Sequence, residues 1–524
     1  MSGCARDVLR KVQGGTGKHV DGHISEPLQS RPFQALVQLS DATSAGTDGS
    51  LHVLPGFHAA ALRFFQVANL EPPTGGFTPF IEDEHDDLLD PQLWLPAKRM
   101  PAKFRKLHKA GKLPPPCGAA QARGREGLVK KLRALADELR AMGPCESARV
   151  GDYVLWDPRL PHTTGEPGMF NLGEKPRQVM YCAYTLARGN EAQLAEQRLC
   201  RESGLHMSWA PSSHRHDEVG KCYRKAALSP LGETLYGYSA ARGEGSSSGS
   251  ERSAAARRAA EDDEATWTEA ERGVGAAAIA LTAAHIEFYV RYGFVVVEAA
   301  VPAEAAERVL TEVHAHLSER HGLELPNLDE TLTQARLQRA FSPDGSGMLE
   351  LYWLPSMESL RQTKLLLDIT QRLYSHTWAS DAPAFRTPSA PRRPRLHFYI
   401  DRTSLRLPAR QLRRILDACE CPSCRPNGPR SHLKLRIPVP LAEREALRLR
   451  LLQVKAEGAM EEEGVYEIGC IVQAERRAGK RWWYKIHWKG WGSEFDSWIP
   501  SRDFVTTDAD LLRQVRGCCG CHPD

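Results

Sequence analysis

No stretch of the chain reaches the roughly 18 consecutive apolar residues that a membrane-crossing helix needs, and the first residues hold no apolar segment of the kind a secretory leader requires. These two absences predict a chain with no membrane partner. An excess of one charge sign is missing too. Lys+Arg 69 against Asp+Glu 65 leaves +4, too little to imply nucleic-acid binding by the whole protein. The 13 cysteines do not form the evenly spaced framework of a short secreted chain. They read as mostly reduced thiols, which places the chain in the nucleus or otherwise the cytoplasm. What is present is ordinary globular material, 41% hydrophobic and 26% charged. Its 524 residues leave room for about two to four domains with cores of their own.

Charge is uneven locally. Residues 82–90, "EDEHDDLLD", are mostly acidic, whereas residues 98–112, "KRMPAKFRKLHKAGK", carry only basic charges. One reading is a solvated insertion whose two runs neutralise each other. The other is a nuclear-import or nucleic-acid patch over 98–112.

Residues 1–238 read as one unit. "FQALVQLSD" and "GSLHVLPGFH" are short β-type runs, and "GDYVLWDPRLPH" and "RQVMYCAYTLA" are two further strands. Between them "EGLVKKLRALADELRAM" has its apolar residues at helical spacing. Residues 239–273 are rich in Ser, Gly, Ala and charge and read as a disordered linker. Order resumes over residues 274–410: a helix leads into "GFVVV", a second helix starts behind Pro302, a helical stretch follows from "MLELYWLP", and "RLHFYIDRTSLRL" is a strand. Residues 411–464 hold a Cys/Pro/Gly patch and a charged helix over 440–458. An aromatic module occupies 465–516, and a Cys-rich tail occupies 517–524.

The sharpest motif is "KHVDGH". On an extended strand, residues i and i+2 project to one side, so His19 and Asp21 can grip one ion. "WDPRLPHTT" offers His162 as a third donor at a strand end. Two imidazoles and one carboxylate leave open positions on Fe(II). Arg177 opens the next strand, and its guanidinium could take a carboxylate in a bidentate pair. His23 and His58 read as ordinary polar residues.

The order His-x-Asp, "LHVLPGFH", "GDYVLWDPRLPH" and then Arg177 resembles the phytanoyl-CoA dioxygenase family of Fe(II)/2-oxoglutarate oxygenases over residues 15–190, extending to "LSPLGETLYGY". That resemblance implies a double-stranded β-helix, or jelly roll. It assigns His19, Asp21 and His162 as iron ligands and Arg177 as the anchor of 2-oxoglutarate. Phe57 of "PGFH" departs from the small polar residue usual in that family. Substrates of the family include lipids and small molecules, and nothing in the sequence selects one.

The family's usual preamble, a helix and a "GFVVV"-like strand followed by more helices and a strand, is missing ahead of "KHVDGH" but matches residues 281–410. There "HFYID" sets His397 four residues before Asp401, the wrong spacing for a second His-x-Asp. Either the chain joins two truncated copies, or two halves complete each other as a circular permutant. Burial favours the second, because residues 15–190 alone would leave a barrel face uncovered.

At the C-terminal end, "VYEIGCIV", "YKIHWKGW" and "DSWIP" resemble a chromodomain over residues 465–516, a three-stranded sheet closed by the helix "DADLLRQVRG". The resemblance places a methyl-lysine cage on Tyr466, Trp488 and Trp491, with Trp498 in the small core and Ile499 where many members have Glu. Aromatic faces attract a methylated ammonium by cation–π interaction. The implied partner is a methylated lysine peptide, such as a histone tail. Cys419, Cys421, Cys424 and His432, and Cys518, Cys519, Cys521 and His522, offer zinc-binding atoms without paired CxxC spacing, and free thiols are the simpler reading. The sequence thus predicts a multidomain α+β protein: an oxygenase-like jelly roll joined to a chromodomain. The competing readings are a catalytically inactive chromatin-binding scaffold with a relic barrel, and a zinc-dependent hydrolase using the same three ligands, which would leave Arg177 without a role.

Overall fold

In a computed structural model of the chain, Met1–Ser431 and His432–Asp524 are two separate units. The structure describes residues 5–14, 17–21, 31–43, 48–67, 77–79, 87–115, 124–164, 171–187, 190–207, 226–238, 280–342, 347–380, 385, 394–419, 468–477, 481–488 and 497–500. The expected linker at 239–273, the charged helix at 440–458 and the helix "DADLLRQVRG" lie outside the described residues.

In chain order the strands of the first unit are β1 (His19–Asp21), β2 (Gln34–Gln38), β3 (His52–Val53), β4 (Phe77–Pro79), β5 (Leu95–Pro96), β6 (Tyr153–Trp156), β7 (His162–Thr163), β8 (Arg177–Leu186), β9 (Phe294–Val297), β10 (Met348–Leu349) and β11 (Leu396–Arg406). They form two antiparallel sheets, ordered β4-β1-β7-β3-β5 and β10-β11-β8-β2-β6-β9. Helices accompany both, so the unit is α+β.

The larger sheet is built from distant parts of the chain. β9 lies on β6, with Tyr153 opposite Val297 and Trp156 opposite Phe294. β11 runs along β8 from Leu396 opposite Leu186 to Arg406 opposite Arg177, with a bulge between Ile400 and Thr403. β9 reads "FVVV", and all four residues are buried. β-Branched side chains suit a pleated surface, and a continuous apolar run suits a strand covered on both faces.

Both faces are indeed covered. On one side Val20 of β1 and Val53 of β3 share a hydrophobic cluster with Leu36, Val154, Trp156, Val179 and Val296 of the larger sheet. The helix Gly124–Ala141 adds Leu128, Leu132, Leu135 and Leu139 to that cluster, at the spacing of one helical face. On the other side the Tyr153 hydroxyl donates to the Cys182 carbonyl at 3.0 Å and stands 3.4 Å from Thr370 Oγ1 of the helix Lys364–His376. A fully buried Val contributes about 1.5 kcal/mol or more, so β9, although the last strand of its sheet, is part of the core.

Polar contacts also join the two segments. Arg291 Nε and the Tyr292 hydroxyl both donate to Glu138 at 2.9 Å. Trp378 Nε1 donates to the Pro32 carbonyl at 2.9 Å. Val301 N–H donates to the Gly151 carbonyl at 2.9 Å. Gly151 has φ +83°, and a Cβ there would collide with the Val301 carbonyl oxygen, so this junction requires glycine.

Two sequence expectations need correction. "GDYVLWDPRLPH" is not one strand: β6 and β7 belong to different sheets, separated by a turn in which Asp157 accepts from Arg159 N–H. Pro158 and Pro161 flank that turn and cannot donate to a ladder. The stretch from "MLELYWLP" is β10 followed by two helices, Pro355–Arg361 and Lys364–His376. Pro355 biases the residue before it toward extended backbone. Most of the acidic run, residues 82–86, lies outside the described residues. Asp87 and Asp90 pair with Arg125 and Arg133 of the helix Gly124–Ala141, whereas Arg99 grips Asp152 and Arg105 reaches Glu298.

Two buried histidines make the fold acid-sensitive. His58, in contact with Phe385 and held by the Val290 carbonyl, is pushed down to about 4 by burial. His397, against the Leu235 carbonyl, is likewise pushed down to about 4 by burial, with Arg395 adding to the effect. In the unfolded chain both take a proton near 6.5. Protons therefore favour the unfolded state as soon as pH drops below about 6.5, and stability should decline from there toward pH 4. Thermal melts across that range check this, and a flat melting temperature would contradict it.

The second unit contains β12 (Ile468–Arg477), β13 (Arg481–Trp488) and β14 (Ser497–Pro500), antiparallel in that order. Trp488 closes β13 opposite Ile468, and Trp498 pairs with Lys485.

Candidate metal centre

β1 is three residues long, and its extended backbone sends His19 and Asp21 to one side. β7 lies antiparallel beside it with His162 directly opposite His19. The two imidazole rings are 4.4 Å apart between centroids. Asp21 Oδ1 is 3.5 Å from His19 Nε2, and Asp21 Oδ2 is 3.7 Å from His162 Nε2. One donor atom from each of the three residues lies within 4.8 Å of the other two. This is close enough to hold a metal ion. Bonds of about 2.1 Å place adjacent donors of an octahedral ion about 3 Å apart, so a modest contraction suffices.

The imidazoles are set up to act as ligands. His19 Nδ1 lies 2.9 Å from the Gly17 carbonyl, and His162 Nδ1 lies 3.1 Å from the Leu160 carbonyl. A carbonyl can only accept, so each Nδ1 carries the proton and each Nε2 presents its lone pair on the side where Asp21 lies. Burial pushes His162 down to about 3, with His19 reinforcing it, so its ring stays neutral at ordinary pH. Burial alone would raise the Asp21 carboxyl, but His19, His162 and Arg31 outweigh it and hold it below its ordinary value. Metal ligands must be deprotonated, and both states meet that need. The two histidines are buried while the Asp21 side chain keeps a third of its surface exposed, so one flank of the triad is open.

A polar shell surrounds Asp21. Gln34 Nε2 donates to Asp21 Oδ2 at 2.7 Å. Arg31 stands 3.7 Å from Asp21 and 3.8 Å from Asp401, with its guanidinium 4.4 Å over the Tyr399 ring. Asp401 and Tyr399 come from β11, in the later segment of the chain. Asp401 is not among the three grouped donors, yet strand pairing delivers it to the same neighbourhood.

Arg177 opens β8 and is 2% exposed. Its Nε and Nη2 find no hydrogen-bond partner among the described residues. Burial lowers its guanidinium below its ordinary value, opposed by Asp48. A buried cation with free donors is costly unless an anion meets it. Tyr181, four residues along the same strand and on the same face, is raised by burial and feels both Arg177 and Asp21.

The structure therefore gathers His19, Asp21 and His162 and buries Arg177 as a cation with donors to spare. His58 is a core residue, and Phe57 packs against Phe64 and Phe65 in the core. Tyr466, Trp491, His23 and, apart from Cys419, the clustered Cys and His residues lie outside the described residues. Trp488 is placed only as the last residue of β13. Gln34, Arg31, Tyr399 and Asp401 were not anticipated as neighbours of the triad. Nothing local marked Gln34 or Arg31, and Tyr399 and Asp401 depend on the pairing of β11 with β8. Comparison with protein-family models, curated proteins and solved structures found no match to this chain.

Proposed function

We propose that the first unit is an Fe(II)/2-oxoglutarate-dependent oxygenase of the phytanoyl-CoA dioxygenase type. On this reading its two sheets form a double-stranded β-helix whose preamble has moved behind the catalytic half as a circular permutation. The observation that carries the reading is the convergence of His19, Asp21 and His162, with their Nδ1 atoms tied to carbonyls and Nε2 atoms beside Asp21. The unpartnered Nε and Nη2 of buried Arg177 add to it. His19, Asp21 and His162 would hold the metal, which supplies O2 activation coupled to the oxidative decarboxylation of 2-oxoglutarate. Arg177 would pair with the distal carboxylate and orient the co-substrate, and Gln34 and Arg31 would fix the rotamer of Asp21. In balance, one atom of O2 goes into succinate and the other into the substrate's new hydroxyl, with release of CO2. Anaerobic calorimetry tests this: Fe(II) should bind near one equivalent, and 2-oxoglutarate should bind tightly only afterwards. Binding of 2-oxoglutarate without metal, or none at all, would refute it.

For the second unit we infer a chromodomain that docks the protein on a methylated lysine, with Tyr466, Trp488 and Trp491 as the cage. Supporting it are the residues of "VYEIGCIV", "YKIHWKGW" and "DSWIP" and the antiparallel order β12-β13-β14. A trimethyl-lysine histone peptide should bind more tightly than its unmethylated form. Trp488→Ala should cost about 1–2 kcal/mol of that affinity. Equal binding of both peptides would end the cage assignment. A nuclear location follows from this partner.

A further inference from the structure

We propose that Arg406, at the end of the late strand β11, is the second guanidinium of a carboxylate clamp shared with Arg177, so that the co-substrate site is split between the two halves of the chain. The inference rests on the oxygenase reading and adds to it a residue that no motif in the sequence marks.

Register puts the two side chains together. Arg406 and Arg177 are direct partners across the antiparallel pair β11 and β8. Residues so placed lie on the same face with Cβ atoms about 5 Å apart, and like charges there repel. The repulsion is not relieved by water, since Arg406 is 1% and Arg177 is 2% exposed. Burial, with Arg177 adding to it, lowers Arg406 to about 10, and burial is also what lowers Arg177. Both groups remain cations at neutral pH.

Among the described residues, Asp48 is the carboxylate that faces both. It is itself buried and accepts from Thr43 N–H, Ser50 N–H and the Ser50 hydroxyl. Two guanidiniums against one carboxylate leave a net positive charge in a buried place, which is unfavourable unless an anion enters. Arg177 has the free donors to receive one.

Arg406 is held for such a role. Its Nη1 donates to Thr164 Oγ1 at 3.2 Å and to the Gly14 carbonyl at 3.4 Å. Its own carbonyl accepts from Asn171 Nδ2 at 2.9 Å, and Leu407 N–H donates to Gln13 Oε1 at 2.8 Å. Gly49, at φ +82°, leaves the guanidinium room, since a Cβ there would stand 3.3 Å from Arg406 Cζ. Thr164 lies two residues beyond His162, so the same loop touches the metal triad and the clamp. A terminal carboxylate offers two oxygens, enough for one guanidinium fork on each side.

The test compares 2-oxoglutarate with 2-oxovalerate, which keeps the 2-oxo acid and lacks the distal carboxylate. Binding is measured anaerobically on the full chain loaded with Fe(II), for wild type, Arg406→Met and Arg406→Lys. Wild type should favour 2-oxoglutarate strongly. Arg406→Met should lose about tenfold or more of its affinity for 2-oxoglutarate, equivalent to about 1.4 kcal/mol, with little change for 2-oxovalerate. Arg406→Lys, which keeps the charge and loses the fork, should fall between. Should Arg406→Met fail to fold, the selectivity ratio of Arg406→Lys carries the test. Wild-type selectivity in Arg406→Met, or in Arg406→Lys if that variant alone folds, would overturn the clamp and leave the oxygenase reading standing. Absence of 2-oxoglutarate binding in metal-loaded wild type would overturn both.

Discussion

Asp21→Ala should lower Fe(II) affinity by more than about 100-fold, since loss of a supporting residue one layer out already costs about 10–100-fold at metal sites. The carboxylate is the sole anion among the three donors, and it bridges them: its two oxygens are 3.5 Å and 3.7 Å from the two Nε2 atoms. Its loss leaves the two imidazoles 4.4 Å apart with no anionic donor between them, and leaves Arg31 to Asp401 alone. Folding should survive, because Asp21 is partly exposed and its removal costs only the Gln34 contact and long ion pairs. Metal titration with a parallel thermal melt checks both parts. An unchanged Fe(II) affinity would remove the triad from the account.

A fragment of residues 1–238 should not fold cooperatively, and adding residues 274–431 in trans should restore β structure and metal binding. Without the later segment, β6 loses β9 along four buried residues. β8 loses β11 along nearly its whole length. Two bare edges and an uncovered apolar face would remain, a state prone to aggregation. Glu138, Tyr153 and Pro32 would lose Arg291 and Tyr292, Thr370 and Trp378 respectively. Circular dichroism and melting of each fragment and of the mixture measure this. A fragment of residues 1–238 that melts cooperatively and keeps full metal affinity would contradict it.

How far the sequence could be read follows from the range of the interactions involved. His19 and Asp21 were legible because side-chain direction on a strand depends on local backbone alone. The helix over 124–141 was legible because Leu128, Leu132, Leu135 and Leu139 repeat at one helical spacing. The link between "GFVVV" and the earlier segment was suggested by a missing preamble and by a barrel face left uncovered, and strand register cannot be computed from either. Tyr399 and Asp401 reach the neighbourhood of Asp21, and Arg406 reaches Arg177, through the pairing of β11 with β8 across about two hundred residues of chain. No local pattern encodes these. Short strands were also misjudged: β7 has two residues, and its placement in the other sheet from β6 follows from a proline-flanked turn.

The central claim, that the triad and the buried arginine form a working oxygenase site, is tested most directly by succinate release. The full-length protein is incubated with Fe(II), 2-oxoglutarate and O2, with ascorbate as the reductant that takes up the second oxidising equivalent in place of a substrate, and succinate is measured against an Asp21→Ala control. The account predicts succinate that requires all three components and vanishes in the variant. Firm binding of Fe(II) and 2-oxoglutarate with no succinate would contradict it and leave a relic barrel on a chromatin-binding scaffold.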